Sequence, residues 1–251
     1  MASPTRPVSY GFDAPGIMWG MQISGAAAVL FGSTLVTLFS GWPRIVGFIA
    51  IVGGLVPLIL GLSMVVYGLT GKMRMRDKIM SMVDWRGDEQ VLDIGTGQGL
   101  LLIGAAKRLN LAGRATGVDI FLAKDLTNNT LDQLAANVAA EGVENRVALM
   151  EQDARKLNFA DASFDVVFSL YCIHNIEDAN ERKGALLEAV RVLKPGGRLL
   201  IGEWMPTHGY ATILKEAGLT VRSSRTYLTT AMTLMWLVDV TKPNALSVPR
   251  T

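Results

Sequence analysis

Val91-Leu92-Asp93-Ile94-Gly95-Thr96-Gly97-Gln98-Gly99 decides the fold: a short apolar strand runs into three alternating glycines, with Asp93 two residues before the first. Glycines at that spacing let the backbone turn sharply and approach a ligand closely, and the helix that follows aims its N-terminus at the same place. The arrangement suits a nucleotide-like ligand laid across a strand end. A dinucleotide-binding loop would read G-x-G-x-x-G, but Leu100 stands three residues after Gly97 and the third glycine comes one residue early. A nicotinamide-linked oxidoreductase therefore fits poorly.

Downstream of Asp88, short β-branched runs alternate with longer helical stretches, which predicts a parallel sheet with crossover helices. Strands are expected at Gln90 to Ile94, Ala115 to Asp119, Val147 to Glu151, Asp165 to Leu170 and Arg198 to Glu203. Helices are expected at Leu100 to Leu109, Leu131 to Glu141, Asn180 to Leu193 and Tyr210 to Ala217. Two last extended runs, Thr220 to Tyr227 and Leu234 to Thr241, would form an antiparallel edge.

Upstream the composition changes completely. No Asp, Glu, Lys or Arg occurs between Asp13 and Arg44, nor between Arg44 and Lys72. Each stretch exceeds the roughly 20 apolar residues that cross a bilayer as a helix. The expectation is a transmembrane hairpin, Ile17 to Phe39 and Ile45 to Leu69, broken at Gly41-Trp42-Pro43-Arg44. A cleaved signal peptide is the competing reading of the first stretch, but its apolar run is too long and no small-residue cleavage pattern precedes the second.

Gly16, Gly20, Ser24, Ala28 and Gly32 recur every four residues, and Gly47, Gly54, Gly61 and Gly68 every seven. Such small-residue faces would pack against each other or against a second subunit, giving a homo-oligomer. Pro57 is expected to kink the second helix. Neither span holds an ionisable residue, which argues against a pump or channel.

Lys72, Arg74, Arg76 and Lys78 follow the second span at once, so the positive-inside rule places the rest of the chain, and the N-terminus with Arg6, on the cytoplasmic side. Met75, Ile79, Met82 and Val83 fall at helical spacing, which predicts a basic amphipathic connector whose cations face lipid headgroups; an ordinary amphipathic helix packed on the soluble domain is the compatible plain reading. The division is thus 1–71 for the N-terminal segment and hairpin, 72–88 for the connector and 89–251 for the α/β domain. A formal net charge of +2 makes no case for nucleic acid. The lone Cys172 permits no internal disulfide and reads as a small apolar filler.

Ligands in such a sheet bind at the carboxyl ends of the strands. Asp93 is expected to order the glycine loop. Asp119, closing the second strand, can accept hydrogen bonds from both ribose hydroxyls, or act as a helix cap. Gln152-Asp153-Ala154 closes the third strand, with a turn-forming Asp as the plain alternative, and Ser169-Leu170-Tyr171 closes the fourth. Lys194-Pro195-Gly196-Gly197 supplies a helix stop and turn before the fifth.

Taken together, Val91 to Glu203 resembles the class I S-adenosylmethionine-dependent methyltransferases, whose motif I is matched by Asp93-x-Gly95-x-Gly97-x-Gly99. In its Asn158 to Asp165 segment and Lys-Pro-Gly-Gly turn it is similar to the ubiquinone/menaquinone C-methyltransferases and related small-molecule groups. Asp125-Leu126-Thr127-Asn128-Asn129 and Ile173-His174-Asn175-Ile176 are similar to a bacterial branch with N-terminal transmembrane segments.

The resemblance implies a Rossmann-like, mostly parallel sheet with an antiparallel last strand. It also implies S-adenosyl-L-methionine as cofactor, held by Asp93, Gly95, Thr96, Gly97, Gly99, Asp119, Ile120, Asp153, Ala154 and Ser169, with Asp153 on the adenine amino group. No metal is expected. His174 is the candidate base, since it follows the fourth strand near the expected methyl position and an imidazole titrates near neutrality. Tyr171, Asn175 and Glu203 are candidates for orienting the acceptor.

Tyr171-Cys172-Ile173-His174 departs from the quinone enzymes and puts a quinone acceptor in doubt. Only Trp204 to Gly209 stands where many relatives insert a cap, so the pocket is either open or closed by connector methionines and the bilayer. The acceptor is expected to be lipophilic: a quinone precursor, a phospholipid amine or an isoprenoid, with membrane lipids as neighbours. The alternative is a membrane-anchored donor-binding scaffold without catalysis. With a lipophilic acceptor, deleting residues 1–70 is expected to leave donor binding intact but to cut activity on membrane lipid.

Overall fold

A computed structural model describes residues 8–244; Arg6 and the expected end of the α/β domain at 251 lie outside the described residues. The chain begins with two long helices, α1 (Pro15–Leu38) and α2 (Trp42–Val66), packed side by side. Both are long and apolar enough to cross a membrane. The break between them falls one turn earlier than expected. Pro43 sits in the first turn of α2, where a missing N–H costs nothing, so the reversal is made by Phe39, Ser40 and Gly41.

Glycine sets how closely these helices approach. A Cβ on Gly25 would lie 2.7 Å from the Gly54 carbonyl oxygen, and one on Gly32 would overlap that of Gly47. Gly47, Gly54 and Gly61 of the seven-residue series therefore face α1, as the spacing predicts, whereas Gly68 meets Phe12, before α1. On α1 the face is Gly25, Ala28 and Gly32, because Gly16 and Gly20 meet nothing and Ser24 is exposed. The outward faces carry bare apolar side chains such as Ile23, Leu30, Ile49 and Val56.

Rather than ending at the predicted boundary, α2 passes through a π-helical turn (Tyr67–Gly71) into α3 (Lys72–Met80). Helix α3 is not a headgroup-facing connector throughout. Met75, Ile79 and Met80 are fully buried against α4 (Leu100–Ala106) and α8 (Leu228–Ala231). Arg74 and Lys78 are exposed, but Lys72 turns inward and is buried.

The sheet has the order β3-β2-β1-β4-β5-β7-β6. Strands β1 (Gln90–Ile94), β2 (Arg114–Asp119), β3 (Val147–Glu151), β4 (Phe164–Leu170) and β5 (Leu193–Glu203) run parallel. Strand β7 (Trp236–Thr241) inserts antiparallel between β5 and β6 (Thr220–Thr226). Strand β5 starts before the expected Arg198, since Leu193 already pairs with Phe164 and the Lys-Pro-Gly-Gly turn is absorbed as an irregularity with Gly196 at φ +79°.

Alternate residues of the strands feed two cores. Val91, Val166, Phe168 and Leu200 face α3, α4 and α5 (Leu131–Ala140); Leu92, Val167, Leu199 and Ile201 face α6 (Ala179–Val192) and α7 (His208–Glu216). The chain reverses its direction of winding between β1 and β4, so their carboxyl ends open a crevice.

Candidate functional site

The crevice is floored by the glycine loop. Gly95, Gly97 and Gly99 adopt φ of +72°, +52° and +87°, a region closed to most side chains. The amides of Gly95 and Thr96 donate to the Val118 carbonyl at 2.8 and 3.0 Å, anchoring the loop to β2. Asp93 orders the loop from beneath: its Oδ2 accepts from Thr96 Oγ1 at 2.9 Å and from the Leu102 amide at 3.0 Å. It is 2% exposed, and burial pushes its carboxyl up to about 7 against the pull of those hydrogen bonds.

The sign of the linkage follows. A carboxyl with a raised native pKa favours the fold when protonated, so its contribution is full below about 4 and is lost as pH rises to about 7. The wild-type thermal midpoint in detergent should fall across that interval, and Asp93→Asn should flatten the slope. A variant with the wild-type slope would show that Asp93 is charged throughout.

Asp119 reaches back to the loop: Oδ2 accepts from the Gly97 amide at 2.8 Å and Oδ1 from the Phe121 amide at 2.6 Å. Each oxygen keeps a second lone pair. Asp153 is more heavily engaged, since the Arg155 amide and guanidinium both donate to it and hold its carboxyl below the usual range. The turn-forming role is therefore present, whatever else Asp153 does.

Two adjoining cavities occupy the crevice. The larger, about 120 Å³, is lined by Asp119, Ile120, Asp153, Ala154, Asn175 and Asn129 among others. The smaller, about 50 Å³, is lined by Asp93, Gly95, Thr96, Gly97 and Gln98, and also by Tyr10, Asp13, Tyr67 and Lys72. Those last four answer the question of the missing cap. The cover is the extended segment before α1 and the lower end of the long helix, not connector methionines.

The segment is held down by the Ala14 and Thr127 amides, which donate to the Asp125 and Phe12 carbonyls, and by Asn137 Nδ2, which donates to the Ser9 carbonyl. Tyr10, Asp13 and Tyr67 all lie within residues 1–70, so removing that stretch would strip walls from this cavity. Lys72 could be read from sequence only as one more cation after an apolar run. Nothing in the pattern at Tyr10 and Asp13 marked them.

Other expected residues fall differently. Ser169 lines neither cavity, and its Oγ is buried without a hydrogen-bond partner. Tyr171 walls both cavities at φ +54°, but its hydroxyl donates to the Leu234 carbonyl at 3.3 Å and burial holds the phenol far above its ordinary range. Its ring is a wall of the crevice. Cys172 packs directly on Gly95, as a filler should.

His174 lines neither cavity; it stands beside them between the rings of Tyr171 and Trp204, at 6.4 and 6.0 Å. Its Nδ1 lies 2.5 Å from Glu203 Oε2, and its amide donates to Oε1 at 3.2 Å. Glu203 is completely buried at the end of β5, and burial raises its carboxyl against the opposing pull of His174. A Glu203 carboxylate that accepts from Nδ1–H would leave Nε2 as the acceptor.

Residues 91–197 match a family described as "Methyltransferase domain". Over residues 91–197 the chain carries a class I S-adenosylmethionine-dependent methyltransferase domain. It is similar to 27-O-demethylrifamycin SV methyltransferase of Amycolatopsis mediterranei, 32% identical over 132 residues, or 53% of this chain and 44% of that protein. It is similar as well to the ubiquinone/menaquinone biosynthesis C-methyltransferase UbiE of Vibrio vulnificus, 33% identical over 119 residues, 47% of this chain and 42% of that one. The chain thus spans under half the length of these two relatives.

In fold, the methyltransferase domain matches an S-adenosylmethionine-dependent methyltransferase from Aquifex aeolicus (TM-score 0.55, 19% identity, 68% of this chain and 90% of that one). It matches the [4+2]-cyclase SpnF equally (TM-score 0.55, 18% identity, 68% and 82%). S-adenosylmethionine is the methyl donor of this family, and the domain's residues fit it. A carboxylate stands at the end of β2, the loop is a cradle that a Cβ at Gly95 or Gly97 would obstruct, and two buried oxygens on the cavities, Gln98 Oε1 and Asn129 Oδ1, lack hydrogen-bond partners among the described residues.

Proposed function

We propose that this protein is a membrane-anchored methyltransferase that transfers a methyl group from S-adenosylmethionine to a lipophilic small molecule. The observation that carries this reading is that Tyr67 and Lys72, at the foot of a long apolar helix, wall the same cavity as the glycine loop. Anchor and site are one construction. On the flank facing the helices, Leu228, Met232 and Leu234 are exposed, and Thr233 Oγ1 lies 3.2 Å from Ser63 Oγ inside the apolar segment. With α1 and α2 crossing a bilayer, this loop sits at its surface, where apolar side chains are stabilised rather than penalised.

The basic residues after α2 then put the domain on the cytoplasmic side. The division into residues 1–71, 72–88 and 89–251 stays as the proposed organisation, with the middle segment serving as wall as well as connector. Relatives named for quinone biosynthesis and for a rifamycin support an apolar organic acceptor: a quinone precursor, a phospholipid amine or an isoprenoid.

When bound, S-adenosylmethionine supplies a methyl group on a sulfonium already activated by its own charge, so the chain's task is alignment and exclusion of water. Asp119, Ile120, Asp153 and Ala154 position the adenosine end; Tyr171 closes the crevice; His174 Nε2 takes a proton where the acceptor carries one.

The experiment is turnover of the full-length protein in nanodiscs with lipid extract and methyl-labelled donor. Label should enter a lipid fraction as S-adenosylhomocysteine is released. Turnover on water-soluble acceptors alone would overturn the lipophilic reading, and donor binding without S-adenosylhomocysteine release would leave the scaffold reading in its place.

A further inference from the structure

The smaller cavity has walls of two origins. The glycine loop offers backbone and a hydroxyl, whereas the opposite wall offers charge from outside the sheet, Asp13 and Lys72. Lys72 is 3% exposed, and a buried ammonium is costly unless its donors are matched. Nζ donates to the Tyr10 and Gly11 carbonyls at 2.9 and 2.8 Å. Asp13 Oδ2 lies 2.9 Å from Nζ as an ion-pair partner, without a hydrogen bond between them.

That contact is close without being aligned. Asp13 Oδ2 is buried and takes no hydrogen bond among the described residues, and Gln98 Oε1 on the same cavity is buried and unmatched as well. Two opposite charges held together out of line, opening on a cavity with a spare acceptor, form an arrangement that a small zwitterion would complete. A carboxylate offered to Lys72 and an ammonium offered to Asp13 would each gain charge-assisted hydrogen bonds that the bare pair lacks.

We propose that Asp13 and Lys72 receive the amino-acid end of S-adenosylmethionine, Lys72 taking its carboxylate and Asp13 its ammonium. This rests on the donor reading above and adds to it the residues that hold the methionine end. The two cavities share Asp13, Gly95, Gly97, Leu126, Leu170 and Tyr171, so one elongated ligand can lie across both. The larger accommodates adenosine beside Asp119, and the smaller, about 50 Å³, suits a short charged tail. Asp13 stands two residues before α1, and Lys72 is the first residue of α3. Donor binding is thereby coupled to the seating of the two long helices.

Calorimetry on the full-length protein in nanodiscs, with S-adenosylhomocysteine and with 5′-methylthioadenosine, which lacks the amino-acid end, tests this. Lys72→Met and Asp13→Asn should each weaken S-adenosylhomocysteine at least about thirtyfold, as expected for truncating one partner of a buried charge pair. Both should leave methylthioadenosine within about threefold, since its contacts lie elsewhere. Lys72→Arg should retain most of the affinity. Equal loss of both ligands, unchanged S-adenosylhomocysteine affinity in the variants, or a wild type that binds the two ligands equally, would overturn the assignment and leave the pair as a strap for the N-terminal segment. A wild type that binds neither ligand would instead overturn the donor reading itself.

Discussion

Gly95→Ala should abolish measurable S-adenosylhomocysteine binding while leaving the protein folded. Two costs act at once. Gly95 has φ +72°, where an alanine loses about 1–2 kcal/mol relative to glycine. Its new Cβ would also overlap both Cβ and Sγ of Cys172. The thiol could rotate aside, but the Cβ cannot move without the backbone of Tyr171, which is itself at φ +54° and walls both cavities. The loop must therefore shift exactly where a ligand would approach it. Adding Cys172→Gly removes the overlap and keeps the conformational cost, so the double variant should recover binding to within about tenfold of wild type. Calorimetry on the two variants separates the effects; no recovery in the double variant would mean that backbone strain alone governs the loop.

The second large effect is expected at His174. His174→Ala should lower kcat by about 10² to 10³ for an acceptor that must lose a proton, with S-adenosylhomocysteine affinity unchanged because the ring lines neither cavity. Glu203→Gln should lower it less, by about tenfold. The amide keeps the volume but can offer its NH₂ to Nδ1, which would turn the proton to Nε2 and remove the acceptor there. The signature of that positioning role is a change in the pH profile of kcat at constant KM for donor. A kcat that survives His174→Ala would point to an acceptor that needs no base.

Much of the sheet was legible because its signals are local. The glycine spacing, the β-branched runs and the Lys-Pro-Gly-Gly turn each report on a few consecutive residues, and the strand ends at Asp93, Asp119 and Asp153 follow from them. The hairpin was legible for the same reason, as a stretch without charge. What escaped was long-range. That Asp13 meets Leu126 in an isolated bridge, or that Lys72 turns under the segment at Tyr10, depends on how the helix pair settles on the sheet, and no periodicity encodes it. The four-residue series on α1 misled for a related reason: it marked where small residues stand, whereas Gly16 and Gly20 within it meet nothing and Gly25, outside it, packs on the partner backbone. Glu203 was visible only as the end of a strand. Its pairing with His174 required the fourth and fifth strands to be neighbours.

From Trp42 to Met80 the backbone runs as one helix of 39 residues, roughly 58 Å at 1.5 Å per residue. Its far end is sealed in the core through Met75, Ile79 and Met80. Where Gly71 passes the Ala231 carbonyl there is no room even for a methyl group. With the proposed crossing, a bilayer thinner or thicker than the apolar span would make such a helix tilt or distort, and because its far end is packed into the sheet's core, acyl-chain length would bear on how the mouth of the crevice meets the membrane plane.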